Sequence, residues 1–208
     1  MSDDSQPRMT RMTRIQKRNR ELILEGALTV FAAHGFRGAT IDQIAEASGL
    51  SKPNVLYYFD SKDEIHRTLL SAQLDMWLAP LRRIDPQGDP LEEILRYVRA
   101  KLEMSRDYPR ESRLFAHEVI QGAPHLSDIL GGHLRELVDA TVAIFRQWSD
   151  AGRLAPVDPH HLIFSIWALT QHYADFDTQV RAVLGPGHDP LAEAGAFLEN
   201  LYRRMLSV

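Results

Sequence analysis

The sequence predicts an all-α protein, on three observations. Apolar residues recur at three- and four-residue spacing, and no stretch sustains the every-second-residue period of a half-buried strand. Asp89-Pro90, Asp158-Pro159 and Asp189-Pro190 each set a capping acid before a proline suited to the first helical position. The 208 residues are 44% hydrophobic and include no cysteine, which provides a real core and excludes disulfide scaffolds, thiolate metal sites and cysteine nucleophiles.

Each element follows from local chemistry. Residues 1–13 are polar, carry Pro7 and lack periodicity, so they read as a flexible basic arm. Leu22, Ile23, Ala27, Val30 and Phe31 share one face of a first helix, Ile15 to His34, which Gly35 stops. Thr40 caps a second helix, Ile41 to Ala47, and Ser51 caps a third that ends near Tyr58. Ser61 and Glu64 form a capping box for a long helix reaching Pro80. Asp85-Pro86, followed by Gly88, reads as a turn. The three Asp-Pro pairs then open helices over Pro90–Asp107, Pro159–Gln179 and Pro190–Leu206, with two more near Arg110–Gln121 and ending at Gly152.

Charge divides the chain. Residues 8–62 hold nine basic side chains against five acidic ones, a net +4 on a chain that carries −4 overall. A basic front on an acidic body points to an anionic partner for the front alone. The longest apolar stretches, Met76–Leu81 and Leu162–Leu169, the second interrupted by Ser165, fall far short of the roughly 18–20 residues that span a bilayer. The N-terminus has no secretory apolar region. The expectation is a cytoplasmic protein with no membrane partner.

Residues 40–59 carry the sharpest signal. Two short helices flank a turn containing Gly49, with Ile44, Ala45, Leu50 and Val55 as a small apolar core, which is the helix-turn-helix pattern. The third helix offers Lys52, Asn54, Tyr57 and Tyr58. Lysine neutralises phosphate, a tyrosine hydroxyl donates to it, and an asparagine amide pairs with an adenine edge. Thr40 and Ser51 sit at helix N-termini, where free backbone N–H groups favour phosphate. Phe59 reads as core, while Tyr57 and Tyr58 suit a packed ring with an outward hydroxyl. Arg8, Arg11, Arg14, Lys17 and Arg18 recur mostly at three-residue spacing, as in arms that follow phosphates or enter a minor groove; a solvated tail fits equally.

Phe31-x-x-x-Gly35-Phe36, Thr40-Ile41, Ile44-Ala45-x-x-x-Gly49 and Leu56-Tyr57-Tyr58-Phe59-x-x-Lys62 together resemble the DNA-binding domain of the TetR family of repressors. The resemblance implies a helix-turn-helix domain over residues 14–66, and a larger helical ligand-binding and dimerisation domain over 67–208. It implies a homodimer on double-stranded operator DNA, contacted by Thr40, Ser51, Lys52, Asn54, Tyr57, Tyr58 and Lys62. Asp42 departs from the pattern, standing where some members carry a base-reading cation.

Asp75-Met-Trp-Leu-Ala-Pro-Leu81, Ser112-Arg-Leu-Phe115, Leu154-Ala-Pro-Val-Asp-Pro-His-His-Leu-Ile-Phe164 and Thr170-Gln-His-Tyr-Ala-Asp-Phe176 resemble a pyrimidine-responsive group of that family. The group implies uracil or a related pyrimidine as the effector that releases DNA. Independently, Phe164, Trp167 and Gln171 share a helical face. Phe164 reads as core, and Trp167 as either core or a stacking surface. The Gln171 amide matches an adjacent N–H and C=O. Trp77 and Tyr173 complete the candidate ligand set, with Asp175, Arg113 and His117 behind them.

Ile163, Ile166, Leu169 and Thr170, with Leu191, Gly195, Leu198, Leu201 and Tyr202, supply apolar faces for either a dimer interface or the protomer core. The alternative function is a TetR-type repressor that senses a different small molecule. An enzyme has little support: there is no phosphate-cradling glycine loop, nucleophile elbow or thiol. The nine histidines include no i, i+4 pair, and His160-His161 point apart on a helix, so neither metal nor cofactor is expected.

Overall fold

The computed structural model describes residues 12–127 and 130–208; the arm with Arg8 and Arg11 lies mostly outside them. Helices follow one another as α1 (Arg14–Gly38), α2 (Ile41–Ser48), α3 (Lys52–Tyr58), α4 (Lys62–Arg82), α5 (Pro90–Asp107) and α6 (Pro109–Ile120). A π-helical turn, Leu130–Leu134, leads into α7 (Arg135–Asp150), followed by α8 (Pro159–Asp175), α9 (Asp177–Leu184) and α10 (Pro190–Leu206). Among the described residues there is no strand. The chain divides into two compact units, residues 1–66 and 67–208, with the boundary inside α4.

In the first unit, α1 starts at Arg14 because Thr13 and Gln16 close a capping box. Arg14, Lys17 and Arg18 are therefore exposed helical residues rather than part of an arm. Gly35 leaves helical geometry (φ 67°), and one further turn runs on to Gly38. The buried face is Ile23, Ala27, Leu28, Val30 and Phe31; Leu22, expected on it, is 39% exposed. The crossing of α1 over α2 depends on Gly26, where an added Cβ would lie 2.8 Å from the Ser48 backbone nitrogen.

Capping decides the other boundaries. Asp89, Asp158 and Asp189 each accept backbone N–H groups from the first turn they precede. At α4 the Ser61 hydroxyl accepts from the Glu64 N–H at 3.1 Å, but the Glu64 carboxylate takes the Asp60 N–H instead of completing the box with Ser61. Pro80 does not end α4, which continues to Arg82. The helix expected to reach Gln179 breaks at Phe176 (φ −115°, ψ 27°). There Arg113 donates to the Ala174 carbonyl at 3.2 Å, taking an acceptor that a continuing α8 would use.

The second unit closes around Ile94, Val98, Phe145, Trp148, Leu162, Ile166 and Leu198, contributed by α5, α7, α8 and α10. Each large apolar side chain buried this completely stabilises by about 1.5–3 kcal/mol. Of the residues on those two faces, Ile163, Ile166, Thr170, Leu198 and Tyr202 belong to this interior, whereas Leu191, Gly195 and Leu201 are half-buried and Leu169 is exposed. The apolar groups left on the surface include Phe164 at 47%, Phe197 at 60% and Met205 at 40% exposed. Phe164 is thus not core, contrary to its sequence reading.

Candidate functional sites

The first site is built on α2 and α3. Thr40 Oγ1 accepts from the Gln43 N–H at 3.2 Å, while Gln43 Oε1 accepts from the Thr40 N–H at 2.9 Å, so α2 begins at a fixed point. Gly49, at φ 68°, ends α2 in the left-handed conformation. The Leu50 N–H then reaches back to the Ala45 carbonyl at 3.0 Å, and this tight turn delivers Ser51, whose Oγ accepts from the Asn54 N–H at 3.4 Å.

Within α3 only Val55 is buried, so Lys52, Asn54 and Tyr57 project into solvent. Tyr57 is 70% exposed; its ring is not packed into the core but meets Tyr58 edge-on at 5.0 Å. The Tyr58 hydroxyl accepts from Asn19 Nδ2 at 3.1 Å, which leaves its own proton free to donate. Lys52 pairs with Asp42 at 2.9 Å, both exposed. Such a pair is worth about 0–1 kcal/mol, so the ammonium can transfer to a phosphate at little cost. Lys62 differs: it donates to the Phe36 and Ala39 carbonyls, both at 2.7 Å, and lies over the Phe36 ring. It anchors the end of α1.

Two side chains missed at sequence level hold α3 in place. Asn19 bonds Tyr58, and Arg20 donates to the Tyr58 carbonyl at 3.2 Å with its guanidinium 4.0 Å from the Phe59 ring centroid. Nothing in their spacing distinguishes them from ordinary surface residues of α1.

The second site lies in the larger unit and centres on Lys101, which sequence reading also missed. Lys101 is 2% exposed, and its ammonium sits 3.6 Å from the centroid of the Trp77 ring. Burial lowers its pKa to about 7, opposed by the charge of Asp175. Burial in turn raises Asp175, opposed by a 2.5 Å hydrogen bond from Ser112 and by the charges of Arg113 and Lys101. Three buried polar atoms here lack hydrogen-bond partners: Gln73 Nε2, Trp77 Nε1 and Ser105 Oγ. Gln73 lies one turn before Trp77 on α4, and Ser105 one turn after Lys101 on α5, so both lie on the faces that meet at that contact.

The sequence-predicted ligand residues fall in three places. Trp77 belongs to the Lys101 cluster, with one ring face taken by the ammonium. Trp167, Gln171 and Asp175 share a face of α8 at four-residue spacing. The Trp167 N–H is already bonded to the Tyr97 hydroxyl at 2.6 Å, and burial pushes that phenol's pKa well up. Gln171 is half-buried between Trp167 and Asp175 along the helix. Tyr173, about 200° round the helix from Gln171, instead lines a surface groove of about 390 Å³ with Val180, Val183, Leu184 and Phe197. His117 is exposed and bonds Gln121.

Comparison with known proteins assigns both regions. Residues 23–68 match the family model described as bacterial regulatory proteins, tetR family, and residues 70–207 match the C-terminal region of YcdC-like proteins. The chain is 51% identical over 166 residues to the HTH-type transcriptional regulator RutR of Escherichia coli strain K12, covering 80% of this chain and 78% of that one. In fold it is similar to the ketosteroid transcriptional regulator KstR2 of Mycobacterium tuberculosis, with TM-score 0.73, 22% identity, and 91% and 95% of the two chains covered. It is also similar to AibR in complex with isovaleryl coenzyme A and operator DNA, with TM-score 0.71, 19% identity, and 88% and 97% covered. RutR and KstR2 are transcriptional regulators, and among the described residues no helix is long and apolar enough to cross a membrane.

Proposed function

Since the chain belongs to the TetR family of bacterial transcriptional regulators, we propose that it is a repressor that binds double-stranded operator DNA as a homodimer and is released by a pyrimidine such as uracil. The observation that carries the DNA reading is α3, a helix whose single buried residue leaves Lys52, Asn54 and Tyr57 outward. Thr40, Ser51 and Tyr58 flank this surface and would contact phosphates. Lys62 has one remaining N–H for the same purpose. A dimer would set two α3 helices in successive major grooves, about 34–36 Å apart.

The pyrimidine reading rests on the resemblance of the larger unit, on the identity to RutR, and on a buried polar cluster next to Trp77. Trp167 and Gln171 share a face of α8 with Asp175, whose charge acts on Lys101. The ligand must bind the DNA-incompetent state more tightly, or it shifts nothing.

Fluorescence anisotropy on the DNA upstream of the protein's own gene tests the whole. Affinity should fall steeply with salt, because lysine–phosphate contacts release counterions. Uracil should weaken it further. Loss of salt-sensitive binding rejects the repressor, whereas binding unaffected by uracil rejects only the effector. A second reading keeps the repressor and changes the effector: the apolar groove beside Tyr173 suits a larger, greasier molecule. A thermal-shift panel of ring compounds and acyl chains distinguishes the two, since a bound ligand raises apparent stability.

A further inference from the structure

We propose that Asp42 and Lys52 act as one unit that reads a single G·C base pair in the major groove, Asp42 accepting from the cytosine amino group and Lys52 donating to the guanine edge. This rests on reading α2 and α3 as a DNA-binding surface, and it adds to that reading a specificity-determining acid and the base pair it selects.

A structural tie does not account for the pair. Asp42 Oδ2 and Lys52 Nζ are 2.9 Å apart, on side chains 69% and 51% exposed. An ion pair so open to solvent adds little stability. The turn it spans is already fixed by Gly49 in the left-handed conformation, by the Leu50 N–H on the Ala45 carbonyl, and by the caps at Thr40 and Ser51. The first turn of α2 favours an acid. On a surface that meets a polyanion, however, a carboxylate repels the phosphates unless a donor faces it. Moving Lys52 to a phosphate would strand that carboxylate, whereas docking the intact pair would not.

The intact pair matches a base-pair edge. In G·C the guanine O6 and the cytosine amino nitrogen are hydrogen-bonded to each other, which sets acceptor and donor about 2.9–3.0 Å apart. An ammonium and a carboxylate at 2.9 Å are the complement of that edge. The ammonium carries three protons. One goes to Asp42, leaving two for guanine O6 and N7, which are adjacent acceptors. The carboxylate accepts more than one bond, so it can hold Lys52 and the cytosine amino group together. An A·T pair fits less well. Its adenine amino group can meet the carboxylate, but adenine N7 or thymine O4 then offers the ammonium a single acceptor, and O4 stands beside a methyl group.

Selection from a random-sequence duplex library by the full-length protein, then anisotropy on the enriched duplex and its single-base-pair variants, tests the unit in the parent, Asp42→Ala and Lys52→Met. The parent should enrich G·C at one position of each half-site and lose affinity roughly 5- to 150-fold when that pair is replaced. Both variants should narrow this margin and leave the preferences at other positions unchanged. Asp42→Ala should also raise affinity for unmatched sequences, because it removes a repelled charge; loss of a structural tie would lower it. Lys52→Met should keep the parent's salt slope, since an ammonium neutralised by Asp42 displaces no counterion. Circular dichroism and melting confirm folding, and either variant alone carries the test. A Lys52→Met protein that weakens on every sequence alike, with the slope reduced by about one, would make Lys52 a phosphate contact and overturn the unit. So would an Asp42→Ala protein with the parent's preferences, an A·T pair at the affected position, or a parent that binds every sequence alike. Each of these leaves the DNA-binding reading standing. A parent with no salt-sensitive binding to any duplex would overturn both.

Discussion

Tyr57 and Lys62 are equal candidates in the sequence, and their surroundings separate them. Tyr57 is 70% exposed, so Tyr57→Ala should leave stability within about 0.5 kcal/mol of the parent while lowering operator affinity. Lys62 holds two carbonyls at 2.7 Å, so Lys62→Met should cost about 1–3 kcal/mol of stability. Urea denaturation and anisotropy on the same samples compare the two; a stability loss confined to Tyr57→Ala would reverse the assignment. Lys101 adds a pH signature. Burial holds its folded pKa near 7 against an ordinary 10.5, with Asp175 resisting the drop. Between those values the unfolded chain binds more protons, so this group's contribution to stability rises with pH. Below about 7 both states are charged and the full penalty of burying the ammonium is present. The advantage of Lys101→Met over the parent should therefore be widest below pH 7 and close towards pH 10.5, and an advantage constant in pH would contradict the shift. The outward-facing residues of α3 were legible because side-chain type and helix position suffice to propose them. Lys101 was not, because a lysine in an amphipathic helix reads as solvated until its neighbours in space are known.

Helices were legible where a cap fixes them and illegible where a tertiary bond intervenes. Asp89 and Asp189 open α5 and α10 where the Asp-Pro signal puts them, since the cap is local chemistry. The break between α8 and α9 follows from Arg113 reaching the Ala174 carbonyl across 61 residues, which no local pattern encodes. Gly26 is a similar case. Inside a helix a glycine reads as a weakness that alanine would repair by about 1 kcal/mol. Its Cβ, however, would lie 2.8 Å from Ser48 N and 3.0 Å from Ala47 C, both backbone atoms that cannot swing aside. Gly26→Ala should therefore lower the melting temperature, because overpacking of this kind costs about 1–3 kcal/mol. It should also weaken operator binding, because α2 carries the turn that delivers α3. A variant melting above the parent would mean that the crossing of α1 and α2 is loose enough to absorb a methyl group.

At the scale of the molecule, the sequence offered apolar faces without saying which close the protomer and which meet a partner. Burial assigns Ile163, Ile166, Leu198 and Tyr202 to the interior, leaving Phe164 and Phe197 as exposed aromatics for the proposed dimer. Phe197→Glu should then yield a folded monomer by sedimentation, with operator affinity lost. Communication between effector and operator can be tested by thermodynamics alone. If the two act on one conformational equilibrium, their coupling is a single free energy, typically about 1–3 kcal/mol or roughly 5- to 150-fold in affinity. Whatever factor uracil imposes on operator affinity, saturating operator must impose on uracil affinity. Anisotropy with and without uracil gives the first factor, and calorimetry of uracil with and without operator gives the second. Equality within error supports a two-state repressor. A uracil affinity untouched by operator, beside an operator affinity reduced by uracil, is thermodynamically closed to that scheme, and would place the effect on a second uracil site or on the dimer equilibrium, which the Phe197→Glu monomer would then discriminate.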